Sequence, residues 1–195
     1  SAGLRTLQLD DCTWGILVAP FPEGFMDPND SRTETEIHAE LKELYVSVNN
    51  AVIEGLPADL TVNTHVCRGN YHSTWAFSGG YDAVVDPLFT REKVNAYYLE
   101  YDSDRSGGFE PVRFVRPEQL VVLGLISSKN GQLEDRDQII SRIKEASQFI
   151  PLDRLCLSSQ CGFASTEEGN ILTEKQQWEK IRLIRSIAEE IWGID

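Results

Sequence analysis

The run Val121-Val122-Leu123-Gly124-Leu125-Ile126 carries no polar side chain, so a strand built from it has to be covered on both faces. A hairpin sheet with one wet face has no place for such a strand, whereas a parallel sheet walled by helices does. The rest of the chain agrees. Residues 4–11, 61–67, 96–102 and 154–159 also read as strands, and amphipathic stretches fall between the strands. A helix is expected over about 34–54, with Ile37, Leu41, Leu44, Val48 and Val52 at helical spacing and Gly55 and Pro57 to stop it. A short helix is expected over 81–89 after Gly79-Gly80. A third follows over 135–149, with Ile139, Ile143, Ala146 and Ile150 on one face. The last covers 173–192, with Trp178, Ile181, Ile184, Ile187 or Ala188, and Ile191 turned inward. Strands alternating with helices in this way define an α/β chain with a parallel sheet, in which chemistry gathers at the C-terminal strand ends. Residues 1–195 are expected to form a single catalytic-type domain. Five βα units do not close an eight-stranded barrel, so a bare sheet edge is expected beside Leu7 and Leu9.

Composition narrows the partners. The formal net charge is −13, which argues against nucleic acid or an anionic membrane surface, since both need a basic footprint. No apolar run approaches the ~20 residues of a membrane span. Ser1 to Arg5 leads straight into the first strand-like segment, so no signal peptide is expected. Four cysteines in 195 residues are too sparse for a disulfide framework and suit a reduced, cytoplasmic chain. Gly79-Gly80 and Gly107-Gly108 match neither a phosphate loop nor a dinucleotide fingerprint.

The side chains able to do chemistry lie at strand ends. In Thr61-Val62-Asn63-Thr64-His65-Val66-Cys67, alternation puts Asn63, His65 and Cys67 on one face. A core histidine beside a buried thiol would produce the same pattern, but a polar Asn-His-Cys face is an odd way to fill a core. Cys161, in Gln160-Cys161-Gly162-Phe163, is by itself either a small buried residue or a ligand. Glu100, flanked by Leu99 and Tyr101, needs either a metal or a cation such as Arg105 if it points inward. Together His65, Cys67, Glu100 and Cys161 form a set suited to zinc. Two thiolates and a carboxylate leave that centre at formal charge −1, better suited to holding a substrate thiolate than to making hydroxide. Cys12 and Cys156 read as structural. Asp10 and Asp11 could be acid/base groups, metal ligands, an anchor for a substrate ammonium, or a solvated loop start. Lys129, after Ile126-Ser127-Ser128, could position an anion, supply a proton, or simply be solvated.

The strings His65-Val66-Cys67-Arg68-Gly69-Asn70, Leu99-Glu100-Tyr101-Asp102 and Ser158-Ser159-Gln160-Cys161-Gly162-Phe163-Ala164-Ser165 resemble the cobalamin-independent methionine synthase family, closest to its shorter, single-barrel branch. The resemblance implies a partial TIM (β/α)8 barrel, corresponding to strands 4–8 and their helices. It implies a zinc ion held by His65, Cys67, Glu100 and Cys161, and a substrate amino group bound at Asp10 beside Asp11. The implied activity is that of a 5-methyltetrahydropteroyltriglutamate–homocysteine S-methyltransferase-like enzyme, with homocysteine and a methyl-folate as substrates. Lys129 stands where the family carries a proton-donating His at the end of its seventh strand. A methyl-corrinoid or another methyl donor is the alternative. So is a zinc-binding fragment that works only when self-association or a complementing N-terminal half completes it.

Overall fold

A computed structural model describes residues 3–193. Ser1, on which the N-terminal reading leaned, and the last two positions of the 1–195 unit lie outside the described residues. Five strands form one parallel sheet in chain order: β1 (Thr6–Asp11), β2 (Thr61–Val66), β3 (Ala96–Glu100), β4 (Leu120–Ile126) and β5 (Leu155–Ser159). Four helices accompany them: α1 (Glu34–Glu54), α2 (Val85–Arg91), α3 (Arg136–Ala146) and α4 (Glu174–Trp192). This is a partial (β/α)8 barrel, with helices packed on the outer face and the inner face turned toward the barrel axis.

The outer face is the apolar one. Val62 and Val66, Tyr97 and Leu99, and Val121, Leu123 and Leu125 point into a core shared with Ile139, Ile143 and Ala146 of α3 and Ile187 of α4. On β4 the inner-face Val122 is buried too, which accounts for the wholly apolar run. The inner face also carries polar side chains: Gln8 and Asp10, Asn63 and His65, Tyr98 and Glu100. Parallel register places Asp10 beside His65, and His65 beside Tyr98. Helices α1 and α4 begin with matching capping boxes, Thr33 with Glu36 and Thr173 with Gln176, each satisfying otherwise orphaned N–H groups.

Three local features differ from expectation. Residues 13–17 form a 3-10 turn that seats Trp14 and Leu17 in the core, leaving Cys12 exposed rather than structural; Cys156 is half-buried. In α4, Trp178 faces outward at 48% exposure, while Lys180 is fully buried and donates to Glu134 Oε1 at 2.7 Å. An ion pair thus takes the inward position assigned to the aromatic. On α1, Leu44, Val48 and Val52 are about half exposed. Leu44 and Val48 border an apolar groove of about 460 Å3 against Leu9 and Tyr45, on the outer side of β1. The expected open edge beside Leu7 and Leu9 is therefore present: β1 ends the sheet and both leucines stay partly exposed. No helix among the described residues is long and apolar enough to cross a membrane.

Candidate metal centre

Cys67 follows directly on β2, and its backbone N–H donates to Asp11 O at 3.1 Å, extending the β1–β2 ladder by one residue. The chain then turns sharply at Gly69 (φ +86°). A Cβ there would lie 2.8 Å from Ala76 Cβ and 2.9 Å from its backbone nitrogen, so only glycine lets the Arg68–Ala76 loop close. Glu100 closes β3, and Cys161 lies two residues beyond β5. Between β4 and β5 the register shifts at Gly124–Ile126, and Gln160 N–H donates to Ile126 O at 2.7 Å.

These strand ends bring four donors to one point. One ligand atom from each of His65, Cys67, Glu100 and Cys161 lies within 4.8 Å of every other. His65, Cys67 and Glu100 are buried and Cys161 is partly so. His65 Nε2 lies 3.5 Å from Glu100 Oε1 yet makes no well-formed hydrogen bond, a buried orphan aimed into the cluster. An orphaned imidazole nitrogen, two thiols and a carboxylate converging at this range fit a tetrahedral dication with nitrogen and sulfur ligands. Without an ion, the four groups set one another's protonation. Burial would push the His65 pKa down, but contact with Cys161 and Glu100 carries it up to about 10. Hydrogen bonding from Cys67, with further help from His65, outweighs burial and holds the Cys161 thiol down at about 4. The same Cys161 contact, reinforced by burial, drives Cys67 upward. Burial would raise Glu100, but His65, the Arg68 N–H and Arg105 bring it below the usual carboxylate value. In the metal-free cluster a protonated His65, with Arg105, thus balances the ionised Cys161 and Glu100, and an ion held by all four residues would displace the His65 and Cys67 protons.

The two aspartates part company. Asp10 is on the inner face, 4.0 Å from His65 Nε2, its side chain 70% exposed. Burial of its inner part, only partly offset by His65, raises its pKa. Asp10 borders a cavity of about 410 Å3 that also reaches Gln8, Tyr98, Ser158, Ser159 and Cys161. Asp11 faces the helix layer: its Oδ1 accepts the Thr13 N–H at 2.9 Å and its Oδ2 accepts from Asn49 Nδ2 at 2.8 Å. It stands outside the cluster.

Lys129 is 7% exposed, and its Nζ donates to Asn70 Oδ1 at 3.1 Å and to Gly69 O at 3.4 Å. Burial lowers its pKa, against the pull of Glu100, Asp102 and Cys161 nearby. The same loops hold residues that sequence reasoning passed over. Asn170 Nδ2 donates to Ser128 O at 2.8 Å and to Asn70 Oδ1 at 3.2 Å, and Asn170 Oδ1 accepts the Ser73 N–H at 2.9 Å, so one side chain ties the β2, β4 and β5 loops together. Arg68 is fully buried with its guanidinium 4.1 Å from the centre of the Tyr81 ring, and the Tyr81 hydroxyl accepts the Glu100 N–H at 2.9 Å. The run Arg68-Gly69-Asn70 after a strand mouth was the available signal. Arg105, expected only as an alternative partner for Glu100, bonds it at 2.7 Å while Glu100 also faces the other three donors.

Fold and site define a class: a partial (β/α)8 barrel with a sulfur-rich metal-type centre at the C-terminal strand ends. No family model matches the chain. Two uncharacterized Bacillus subtilis proteins are similar to it: YxjH, 47% identical over 192 residues, and YxjG, 48% identical over 191. These alignments take in 98% and 97% of the chain but only 50% and 49% of the relatives. Among solved structures, a Listeria monocytogenes protein provisionally assigned as a vitamin-B12-independent methionine synthase matches 99% of the chain and 50% of its own, at 36% identity and TM-score 0.72. A B12-independent methionine synthase from a Shewanella species matches 98% of the chain and 50% of its own with the same TM-score; at 17% identity that likeness concerns the fold alone. The chain spans about half the length of the relatives it matches. The structural similarity to both solved proteins thus runs over nearly all of the chain.

Proposed function

We propose that the chain is the zinc-bearing part of a thiol methyltransferase, moving a methyl group from 5-methyltetrahydrofolate (polyglutamate) to homocysteine to give methionine. The observation that carries this reading is the convergence of His65, Cys67, Glu100 and Cys161 within 4.8 Å. Zinc held by these four would supply a site at which a substrate thiol is kept as thiolate at neutral pH. Residues 1–195 would act as one catalytic-type domain, in a reducing cytoplasmic setting where both ligand thiols stay free.

The chain's own residues account for the rest. Asp10 stands beside His65 at the rim of the 410 Å3 cavity, where its carboxylate can hold the ammonium of an amino-acid substrate. Asp11 would serve this site indirectly, by fixing the end of β1 through Thr13 and Asn49. In the transfer a sulfur–carbon bond forms, the N5–carbon bond of the pterin breaks, and N5 takes up a proton. Lys129 would supply that proton from Nζ, a role supported by its desolvation and lowered pKa. What remains is alignment of sulfur and methyl carbon.

A second reading has its own support. The apolar groove beside β1 and the half-length match favour a zinc-binding part that turns over only when self-association or a complementing N-terminal half completes the barrel. A lysine at position 129 also leaves room for another donor, such as a methyl-corrinoid. The test measures zinc content and homocysteine methylation with each donor separately, in wild type, Cys67→Ser and Cys161→Ser. Near one zinc per wild-type chain is expected, falling sharply in both variants. A wild-type chain that holds no zinc after gentle purification overturns the proposal; zinc without turnover selects the second reading.

A further inference from the structure

Glu100 differs from the other three donors because both of its oxygens are already engaged. Oε1 faces His65 and accepts the Arg68 N–H at 2.9 Å. Oε2 accepts from an Arg105 terminal nitrogen at 2.7 Å. The other terminal nitrogen of Arg105 lies 2.6 Å from Asp102 Oδ1 and donates to Ser103 Oγ at 2.7 Å. Side-chain exposure is 0% for Glu100, 4% for Asp102 and 6% for Arg105, and the guanidinium lies 5.7 Å from the Trp75 ring centre. A surface arginine could swing away from a carboxylate at little cost. This one is pinned on several sides.

We propose that Arg105 is a positioning residue for the metal centre: it withholds Glu100 Oε2, so that Glu100 meets the ion through Oε1 alone and remains an exchangeable ligand. The inference rests on the thiol-methyltransferase reading. A carboxylate that shares its charge with a guanidinium is a poorer donor to a metal. A substrate sulfur bound in its place would exchange a zinc–Oε1 bond for a zinc–sulfur bond, with the thiol proton passing to solvent. Glu100 keeps its charge and is not stranded, because Arg105 and the Arg68 N–H already hold it. The competing account is that Arg105 merely neutralises two buried carboxylates.

The two accounts differ in sign, and zinc release from the metal-loaded full chain to a chromophoric chelator separates them. If Arg105 weakens Glu100 as a ligand, Arg105→Met should release zinc about tenfold more slowly than wild type, the scale of one charge-assisted hydrogen bond. Arg105→Lys, which keeps the charge, should stay close to wild type. Because Asp102 loses its cation in Arg105→Met, the double variant Asp102→Asn/Arg105→Met is measured alongside and carries the same expectation should the single variant not fold. Zinc X-ray absorption supplies a second readout: homocysteine should add one sulfur neighbour in wild type and none in the Met variants. Release as fast as wild type, or faster, overturns the role given to Arg105. If wild type holds zinc but gains no sulfur, the chain does not take up homocysteine uncompleted and the second reading is selected, while the release rates still decide the claim about Arg105.

Discussion

Replacing Glu92 by Gln should stabilise the chain by an amount that grows with pH. Glu92 lies between α2 and β3, fully buried. Its backbone carbonyl accepts from Arg116 at 2.8 Å and from Gln119 at 2.9 Å, and these bonds survive the substitution. Its carboxyl has one partner, Asn49 Nδ2 at 2.7 Å to Oε1, while Oε2 has none. Asn49 also donates to Asp11, so a second anion lies behind the same amide. Burial, only partly relieved by Asn49 and worsened by Asp11, raises the pKa from 4.5 to about 7. A carboxyl whose folded pKa is raised favours the fold below its unfolded pKa, and that advantage is lost as pH climbs through the folded value. At ~1.36 kcal/mol per unit the full cost of ionising Glu92 is about 3 kcal/mol, of which about 2 kcal/mol accrues between pH 5.5 and 8.5. Gln does not ionise, so the stability gap between Glu92→Gln and wild type should widen by about 2 kcal/mol over that range. Taking the difference between two pH values removes any constant effect of the new amide. Urea unfolding of metal-free protein, followed by circular dichroism, supplies both free energies. Parallel pH profiles for the two proteins would refute the assignment of a desolvated, unpaired carboxyl at this position.

Two further substitutions probe the frame around the metal centre. Gly124 sits opposite Glu100 in the β3–β4 register, and a Cβ there would lie 2.7 Å from Leu99 O, 2.8 Å from Gln160 Cα and 3.2 Å from Ser159 O. All three are backbone and cannot step aside, so Gly124→Ala should cost about 2 kcal/mol in urea unfolding and weaken zinc binding in the same preparation. Lys180→Ala removes the buried cation from Glu134 and from Gln132 O, 2.6 Å away, and should destabilise by about 3 kcal/mol, whereas Trp178→Gln, two residues earlier on the exposed side, should stay within about 0.5 kcal/mol of wild type.

The sheet was legible because its signal is the simplest in the chain. The run Val121–Ile126 admits burial on both faces and little else, and α1 begins at a capping box and ends at Gly55. Where expectation slipped, tertiary pairing had overridden periodicity. Trp178 satisfies the helical repeat of α4, but Lys180 reaches Glu134 and takes the buried position. The 3-10 turn at Thr13–Leu17 has no periodicity to read, and it forms because Trp14 fits edge-on against Tyr45, their ring centroids 5.7 Å apart.

The site was legible for a different reason. Alternation assigns each strand-end side chain to a face, and parallel register brings equivalent faces together, so His65, Cys67, Glu100 and Cys161 could be grouped without coordinates. Alternation also separates Asp10 from Asp11, one residue apart and on opposite faces, although the two were read as a pair. What lay beyond reach was everything that arrives through a loop: Asn170 bridging Ser73, Asn70 and Ser128, or Arg68 folding back against Tyr81. For Glu100 the sequence posed a choice between a metal and Arg105, as though one excluded the other. The carboxylate has two oxygens and the fold engages both, Oε1 toward His65 and Oε2 toward Arg105. A buried ion pair built onto a candidate ligand is no argument against the metal, because a ligand that has to be exchangeable needs somewhere to rest its charge when it is displaced.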